Sequence, residues 1–299
     1  MVQVARSRVA PPLEARSIRL RSGELTYQLR RSPRSRGLRM TIDPQHGLVV
    51  SAPPPGRRGW SEAATRERIE AFLRSREAWI VRHLRSLEAE RAAHRERGGP
   101  RDGGVVRYLG LPHRIRVVAA PATGRRARVE RSGAEDGDEL LVVLPPRDRR
   151  PVAVILEAWF RERARHAIDL AVRRHADALR VRPRVVDLRD PRTRWGSASK
   201  DGRVMLSWRL VLAPPESLET VVVHELAHLR VFGHGPGFWS LVASRRPDHL
   251  ADRAWLRRHA RELHSALEPM VPDAEAAGET ARETAAVEKA GETAAVEEA

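Results

Sequence analysis

Residues 221–229 read VVVHELAHL, with two histidines four positions apart and a glutamate directly after the first. In an α-helix, residues i and i+4 project from the same face, so His224 and His228 can coordinate one Zn²⁺ through two imidazole nitrogens. Glu225 lies between them and can reach a water molecule on that metal. From the frequencies of His and Glu in the chain, the pattern is expected by chance about 0.04 times. The segment therefore predicts a metal-binding helix.

A third ligand is expected nearby, because a catalytic zinc takes three protein ligands and keeps one position open. His234 lies six residues after His228, and the helix must end before this histidine can turn back to the metal. Gly233, with Gly235 and Pro236 beyond it, predicts that ending. The spacing resembles the metzincin arrangement H-E-x-x-H-x-x-G-x-x-H, although Val231 takes the glycine position. We therefore predict a site of His224, His228 and His234.

The composition restricts the chemistry of this site. The chain has 299 residues, no cysteine and a net charge of +16. Without cysteine, thiolate zinc sites, iron–sulfur clusters and a Cys nucleophile are excluded, so a metal must use His, Asp or Glu. There is no signal-like or membrane-spanning apolar run, which predicts a soluble, cytoplasmic protein with no membrane partner. Lys200 and Lys289 are the only lysines, and such an arginine bias is typical of a GC-rich genome as well as of a nucleic-acid surface.

The surrounding sequence alternates between strand and helix patterns. Apolar alternation predicts strands at 17–29, 38–51, 105–109, 114–119, 139–144, 185–188 and 203–212. Helical spacing predicts one or two helices from an N-cap at Ser61 to Arg97, and another from Pro151 to about Arg180. Asp201-Gly202 predicts a hairpin turn. Pro214 and Pro215 begin the metal-binding helix, whose apolar stripe is Leu218, Val222, Leu226 and Leu229.

Several motifs together resemble the YgjP-like metallohydrolase family, which is related to SprT-type zinc proteases. They are RWGS at 194–197, LSWRL at 206–210, APPE at 213–216, VVVHELAHL at 221–229, and His234 followed by Phe238-Trp239. The resemblance covers roughly residues 15–267 and implies a fold similar to that of zincins. Ala198 and Ser207 stand where the family commonly has cysteine and asparagine.

These observations predict an α+β protein, a zincin-like metallohydrolase domain with an N-terminal β-rich subdomain. We expect a flexible N-terminus at 1–13 and a domain at 14–267, with strands and helices at 14–97 and the zincin-like part at 105–267. Residues 268–299 are predicted to be a disordered, acidic, low-complexity tail. Its repeats ETAAVEKA and ETAAVEEA contain too few large apolar residues to offset the entropy of ordering.

The predicted function is zinc-dependent peptide hydrolysis, in which Glu225 acts as general base on a zinc-activated water. The predicted hairpin from Val185 to Leu212 could offer a sheet edge to a peptide or protein substrate. Arg194, Trp195 and Arg209 are candidates for contacts to the substrate or transition state, as is His249.

Two alternatives stay open at this stage. The first is a metal-dependent nucleoside-triphosphate (UTP) pyrophosphatase, because the family resemblance includes a protein associated with UTP hydrolysis and the arginines could hold phosphates. The second is a nucleic-acid-binding module with a structural zinc, which would need a closed site of four ligands and would leave Glu225 without a role. The oligomeric state is not predicted.

Overall fold

The computed structural model describes residues 12–269, apart from 58, 122, 123, 125, 135 and 136. The chain divides into two compact units, Met1–Ala93 and His94–Ala299. Of the predicted flexible N-terminus, residues 1–11 lie outside the described residues, while Leu13 already belongs to a strand. Of the predicted disordered tail, residues 270–299 lie outside them as well.

The first unit is a four-stranded sheet with helices. The sheet has the order β1-β2-β4-β3, with β2 and β4 parallel and the other pairs antiparallel. Its elements are β1 (Leu13–Leu20), β2 (Gly23–Arg31), β3 (Arg39–Asp43), β4 (Gly47–Ala52), α1 (Glu62–Ser75) and α2 (Glu77–Arg97), the last of which runs past the end of the unit. Each predicted long strand thus contains a turn, at Gly23 and at Gly47, both with positive φ. The Ser61 hydroxyl accepts the Ala64 N–H at 3.2 Å, which confirms the predicted N-cap.

The second unit begins with another four-stranded sheet, of order β5-β6-β8-β7. Its strands are β5 (Val105–Tyr108), β6 (Leu111–Ala119), β7 (Arg128–Ala134) and β8 (Gly137–Leu144). Strand β7 was not predicted, because Val129 is its single large apolar residue and the sequence therefore shows no alternation. Helix α3 (Val152–Leu179) follows from Pro151, as predicted.

The β5–β6 turn contacts the chain just before the helix that carries His224 and His228. Leu109 and Gly110 both have positive φ, and their N–H groups donate to the carbonyls of Val211 and Leu212 at 3.0 Å each. A Cβ built on Gly110 would lie 2.7 Å from Pro214 Cγ. The turn therefore holds the start of the helix that carries His224 and His228, and glycine is required at position 110.

A three-stranded sheet, of order β10-β11-β9, precedes that helix. Strand β9 (Val185–Arg189) runs parallel to β11 (Arg203–Ser207), and β10 (Gly196–Ala198) is antiparallel to it. The predicted Asp201-Gly202 turn is confirmed, with Gly202 at φ +81°. The predicted hairpin over 185–212 is wrong in its pairing, because the turn joins β10 to β11 while β9 runs parallel to β11.

The predicted strand at 203–212 is wrong beyond Ser207, because residues Trp208–Leu212 form a 3-10 helix. The Ser207 hydroxyl accepts the Arg209 N–H at 3.3 Å and caps this helix. Val211 is buried together with Trp208, Leu210 and Leu212, whereas a strand would have turned Val211 to the opposite face.

Three helices complete the second unit: α4 (Pro215–His228), α5 (Pro236–Ala243) and α6 (His249–Ser265). Helix α4 packs on α3, α5 and α6, and the helices α5 and α6 were not predicted. Across the described residues, no helix has the length and apolarity needed to span a membrane.

Phe160 of α3 lies at the centre of the core of this unit, and we expect Phe160→Ala to lower the free energy of unfolding by about 3–5 kcal/mol. Its side chain is 0% exposed, and its ring centroid lies 5.2 Å from that of Trp159 and 6.2 Å from that of Trp208. Urea unfolding followed by circular dichroism measures the change. Val154→Ala on the same helix is the control, because Val154 is 49% exposed. Equal losses in the two variants would contradict this account of the core.

Candidate metal centre

Three histidines converge at the end of helix α4. One ring nitrogen from each of His224, His228 and His234 lies within 4.8 Å of the others. The Nε2 atoms of His224 and His234 are 3.2 Å apart. Two ligands on one tetrahedral Zn²⁺ at 2.0–2.1 Å would have their nitrogens about 3.3 Å apart, so this spacing fits zinc. The donor set of three imidazoles also suits that metal.

The chain reaches His234 by a route that differs in detail from the prediction. Helix α4 ends at His228, five residues before Gly233. The N–H groups of Arg230 and Val231 both donate to the Ala227 carbonyl and close the last turn without a glycine. Gly233 then takes a φ of +88° and turns the chain back at His234. A glycine is needed next to the third histidine rather than at the position of Val231.

The His228 ring is oriented by its backbone contact. Its Nδ1–H donates to the Val231 carbonyl at 3.4 Å, which leaves Nε2 as the nitrogen available to a metal. Such a contact fixes the tautomer and the ring angle of a ligating histidine.

Two aromatic residues of α5 pack against the histidines. The buried Phe238 ring has its centroid 4.9, 4.4 and 4.9 Å from those of His224, His228 and His234. Trp239 lies 5.7 Å from His224 and 5.6 Å from His234. These rings restrict the rotamers that the imidazoles can adopt. The FW pair could be found in the sequence, but its position against the site could not.

Burial of His224 and His228 favours their neutral form, which is the form that binds a metal. It lowers the pKa of His224 to about 3, with further lowering from the neighbouring His228 and His234. Burial also lowers the pKa of His228, against the opposing effect of its bond to Val231.

Glu225 is buried beside the histidines and packs against strand β10. Glu225 is only 6% exposed. This burial raises the pKa of its carboxyl group to about 7, while the positive charge of Arg194 acts to lower it. A Cβ built on Gly196 would lie 2.7 Å from Glu225 Oε1 and 2.7 Å from its Cγ. Any larger residue at 196 would therefore displace either the carboxylate or the strand.

The remaining predicted site residues occupy different surroundings. Arg194 is exposed and close enough to influence the Glu225 carboxylate. Trp195 is half-buried and stacks on His264 at 4.7 Å. Arg209 donates to both carboxylate oxygens of Asp190, at 2.7 and 3.1 Å, and to the Leu263 carbonyl. His249 is buried and stacks on Trp239 at 5.4 Å.

A buried polar network contacts helix α4 at Glu219 and Thr220, before His224. The sequence analysis did not predict it. Thr220, one turn before His224 on the same face, donates to Asp252 of α6. The guanidinium of Arg246 donates to Thr220 at 3.1 Å and to Asp252 at 3.0 Å. It also reaches Glu219, which pairs with His175 of α3 at 3.3 Å. The network joins α3, α4 and α6 through charge-assisted hydrogen bonds. The sequence signal for this network was the position of Thr220, four residues before His224 on the same helical face.

Comparisons with known proteins give two findings. The family model described as YgjP-like, metallopeptidase domain, matches residues 36–259. The crystal structure of the metallopeptidase zymogen of Pyrococcus abyssi abylysin is 23% identical, covers 35% of this chain and 99% of its own, and has a TM-score of 0.29. No curated protein matches the chain.

We expect the purified protein to retain about one zinc per chain after dialysis, and His228→Ala to lose most of it. The variant removes one of three imidazoles and leaves only two protein ligands. Inductively coupled plasma mass spectrometry measures the zinc content. His166→Ala, which removes an exposed histidine of α3, should retain the metal. Equal zinc in the wild type and His228→Ala would show that the ligand set is wrong.

Proposed function

The chain belongs to the YgjP-like family of metallopeptidase domains, and we propose that it hydrolyses peptide bonds with zinc as its metal. The proposed ligands are His224, His228 and His234, and the proposed general base is Glu225, in a zincin-like arrangement. One observation carries the proposal: the buried Glu225 carboxylate directly follows His224 in a cluster of three imidazoles. Their nitrogens lie within 4.8 Å of one another, and those of His224 and His234 have the 3.2 Å spacing of zinc ligands. A structural site would use a fourth ligand and would have no use for this carboxylate.

Zinc, when bound, lowers the pKa of a coordinated water towards about 7 and polarises a carbonyl oxygen. In this proposal the Glu225 carboxylate accepts a proton from the attacking water. It then holds that proton and returns it to the amine that leaves as the peptide bond breaks. A pKa raised by burial suits a group that must both take and give a proton near neutral pH.

Strand β10 supports the choice of a peptide as substrate. It lies at the edge of its sheet and pairs with β11. The Ser207 N–H donates to Trp195, and the Ser199 N–H donates to Arg203, so residues 195, 197 and 199 direct their backbone groups towards β11. Gly196 and Ala198 therefore direct theirs away from it. An extended peptide can add to these groups as a further strand beside Glu225.

The other candidate residues take supporting roles in the proposal. Arg194 is exposed near Glu225 and can face the carbonyl oxygen that becomes negative during the reaction. The Trp195 stack on His264 holds the start of β10, and the Arg209 pair with Asp190 holds the sheet at the 3-10 helix. UTP hydrolysis and a role in nucleic-acid binding remain predictions that these contacts do not specifically favour.

Glu225→Gln should keep its zinc yet lose at least about a hundredfold in the rate of peptide hydrolysis, because the amide cannot act as a base. The assay offers denatured casein and UTP in parallel to zinc-loaded protein. Glu216→Gln, in the exposed first turn of the same helix, is the matched control. Near-normal proteolysis by Glu225→Gln would reject the mechanism, and turnover of UTP alone would reject the peptidase.

Gly196→Ala should lower kcat/KM by about a hundredfold while the fold and zinc content are retained, because a displacement of the base by about 1 Å can cost that much. The added methyl would overlap Glu225 Oε1 and Cγ. Gly133→Ala is the control, since a Cβ there meets no atom within 4 Å. Full activity of Gly196→Ala would show that the contact with β10 does not position the carboxylate.

A further inference from the structure

Two exposed cations bracket the free edge of β10. Arg194 lies two residues before Gly196, and Lys200 lies in the turn two residues after Ala198. They are six positions apart in the sequence, which corresponds to about 20 Å of extended chain. The edge between them includes the backbone groups of Gly196 and Ala198, which point away from β11.

The nearby acidic side chains are engaged by other partners. Asp201 accepts from Arg184 at 2.7 Å and also from Ser199. Asp190 is paired with Arg209. Glu225 is buried against Gly196 and is not exposed at the edge. Since Arg194 and Lys200 are not the partners of Asp201 or Asp190, the edge presents a positive field to an approaching chain.

Lys200 is held against the loop that carries the third histidine. Its Nζ lies 5.2 Å from the ring centroid of Phe232, which sits between His228 and His234. Phe232 is 57% exposed and offers apolar surface along which the lysine stem can lie. This contact favours a position of the ammonium group at one end of the edge, next to the loop that carries His234.

We propose that Lys200, positioned by Phe232, together with Arg194 makes this edge select acidic peptide segments. The inference rests on the proposed peptidase function and names its substrate class. Gly196 lies against Glu225, so the scissile bond belongs opposite Gly196, and Lys200 lies four positions later, in the turn that follows β10. In an antiparallel addition, which is the more stable ladder, the substrate residues facing Lys200 lie about four positions before the scissile bond.

The test uses three fluorescent peptides with the same uncharged core and a pair of aspartates, asparagines or lysines near the N-terminal end. Binding is measured by anisotropy on zinc-loaded Glu225→Gln, which is expected not to cut them, and cleavage is measured with the wild type. Exposed charge pairs of this kind change affinity about two- to fivefold. The aspartate peptide should bind tighter than the asparagine peptide by that factor, and the difference should shrink as salt rises.

In the double variant with Lys200→Glu and Glu225→Gln, the lysine peptide should bind tighter than the aspartate peptide. The ratio of the two affinities should change by about tenfold, because each charge pair changes sign. Lys200→Arg should keep the preference for aspartate. Arg165→Glu, a charge reversal on the exposed face of α3, should leave it unchanged. The asparagine peptide should bind all of these variants alike.

Equal affinity for the three peptides, or a preference that Lys200→Glu does not alter, would overturn this inference even where the wild type cuts all of them. Charge-dependent binding without cleavage by the wild type would support the inference and reject the proposed peptidase. The two failures are thus distinguishable.

Discussion

The close approach of strand β10 to helix α4 is the constraint on which the site depends. Glu225 must be buried to act as the proposed base, yet its carboxylate must remain beside the three imidazoles. The absence of a side chain at Gly196 allows the strand to cover the carboxylate at this distance. The same approach places the free edge of β10 next to the histidines. Because Gly196 has no Cβ, the proposed base, the proposed ligands and the edge on which a peptide can lie are close together.

The ligands are positioned from outside by residues that have no chemical role in the proposal. Helix α6 contributes Asp252, which binds Thr220 one turn before His224, and His249, which stacks on Trp239. The guanidinium of Arg253, also on α6, lies 4.3 Å from the centroid of the Trp239 ring of α5. Through these contacts α6 supports both the helical histidines and the histidine on the loop. The loss of contacts that orient ligating side chains typically lowers metal affinity by about 10- to 100-fold.

Local sequence patterns identified the elements of the site but not their long-range contacts. The spacing of His224 and His228, the Asp201-Gly202 turn and the proline start of α4 depend on neighbouring residues, so they could be predicted. The alternation of Val204, Leu206, Trp208 and Leu210 has the period of a strand, yet residues 208–212 form a 3-10 helix in which Val211 is buried as well. The contact of Gly196 with Glu225 and the bond of Thr220 to Asp252 join residues about thirty positions apart. No periodicity encodes such pairs.

The contact of the β5–β6 turn with Val211, Leu212 and Pro214 has a consequence for the kinetics of folding. The start of α4 is held by a hairpin about a hundred residues earlier in the chain, and closing a loop of that length is an entropically costly, slow event. Helix α4 can form locally within microseconds. The start of α4 reaches its final position only when the hairpin has docked. We therefore expect chain topology, rather than helix formation, to limit the rate at which the site forms.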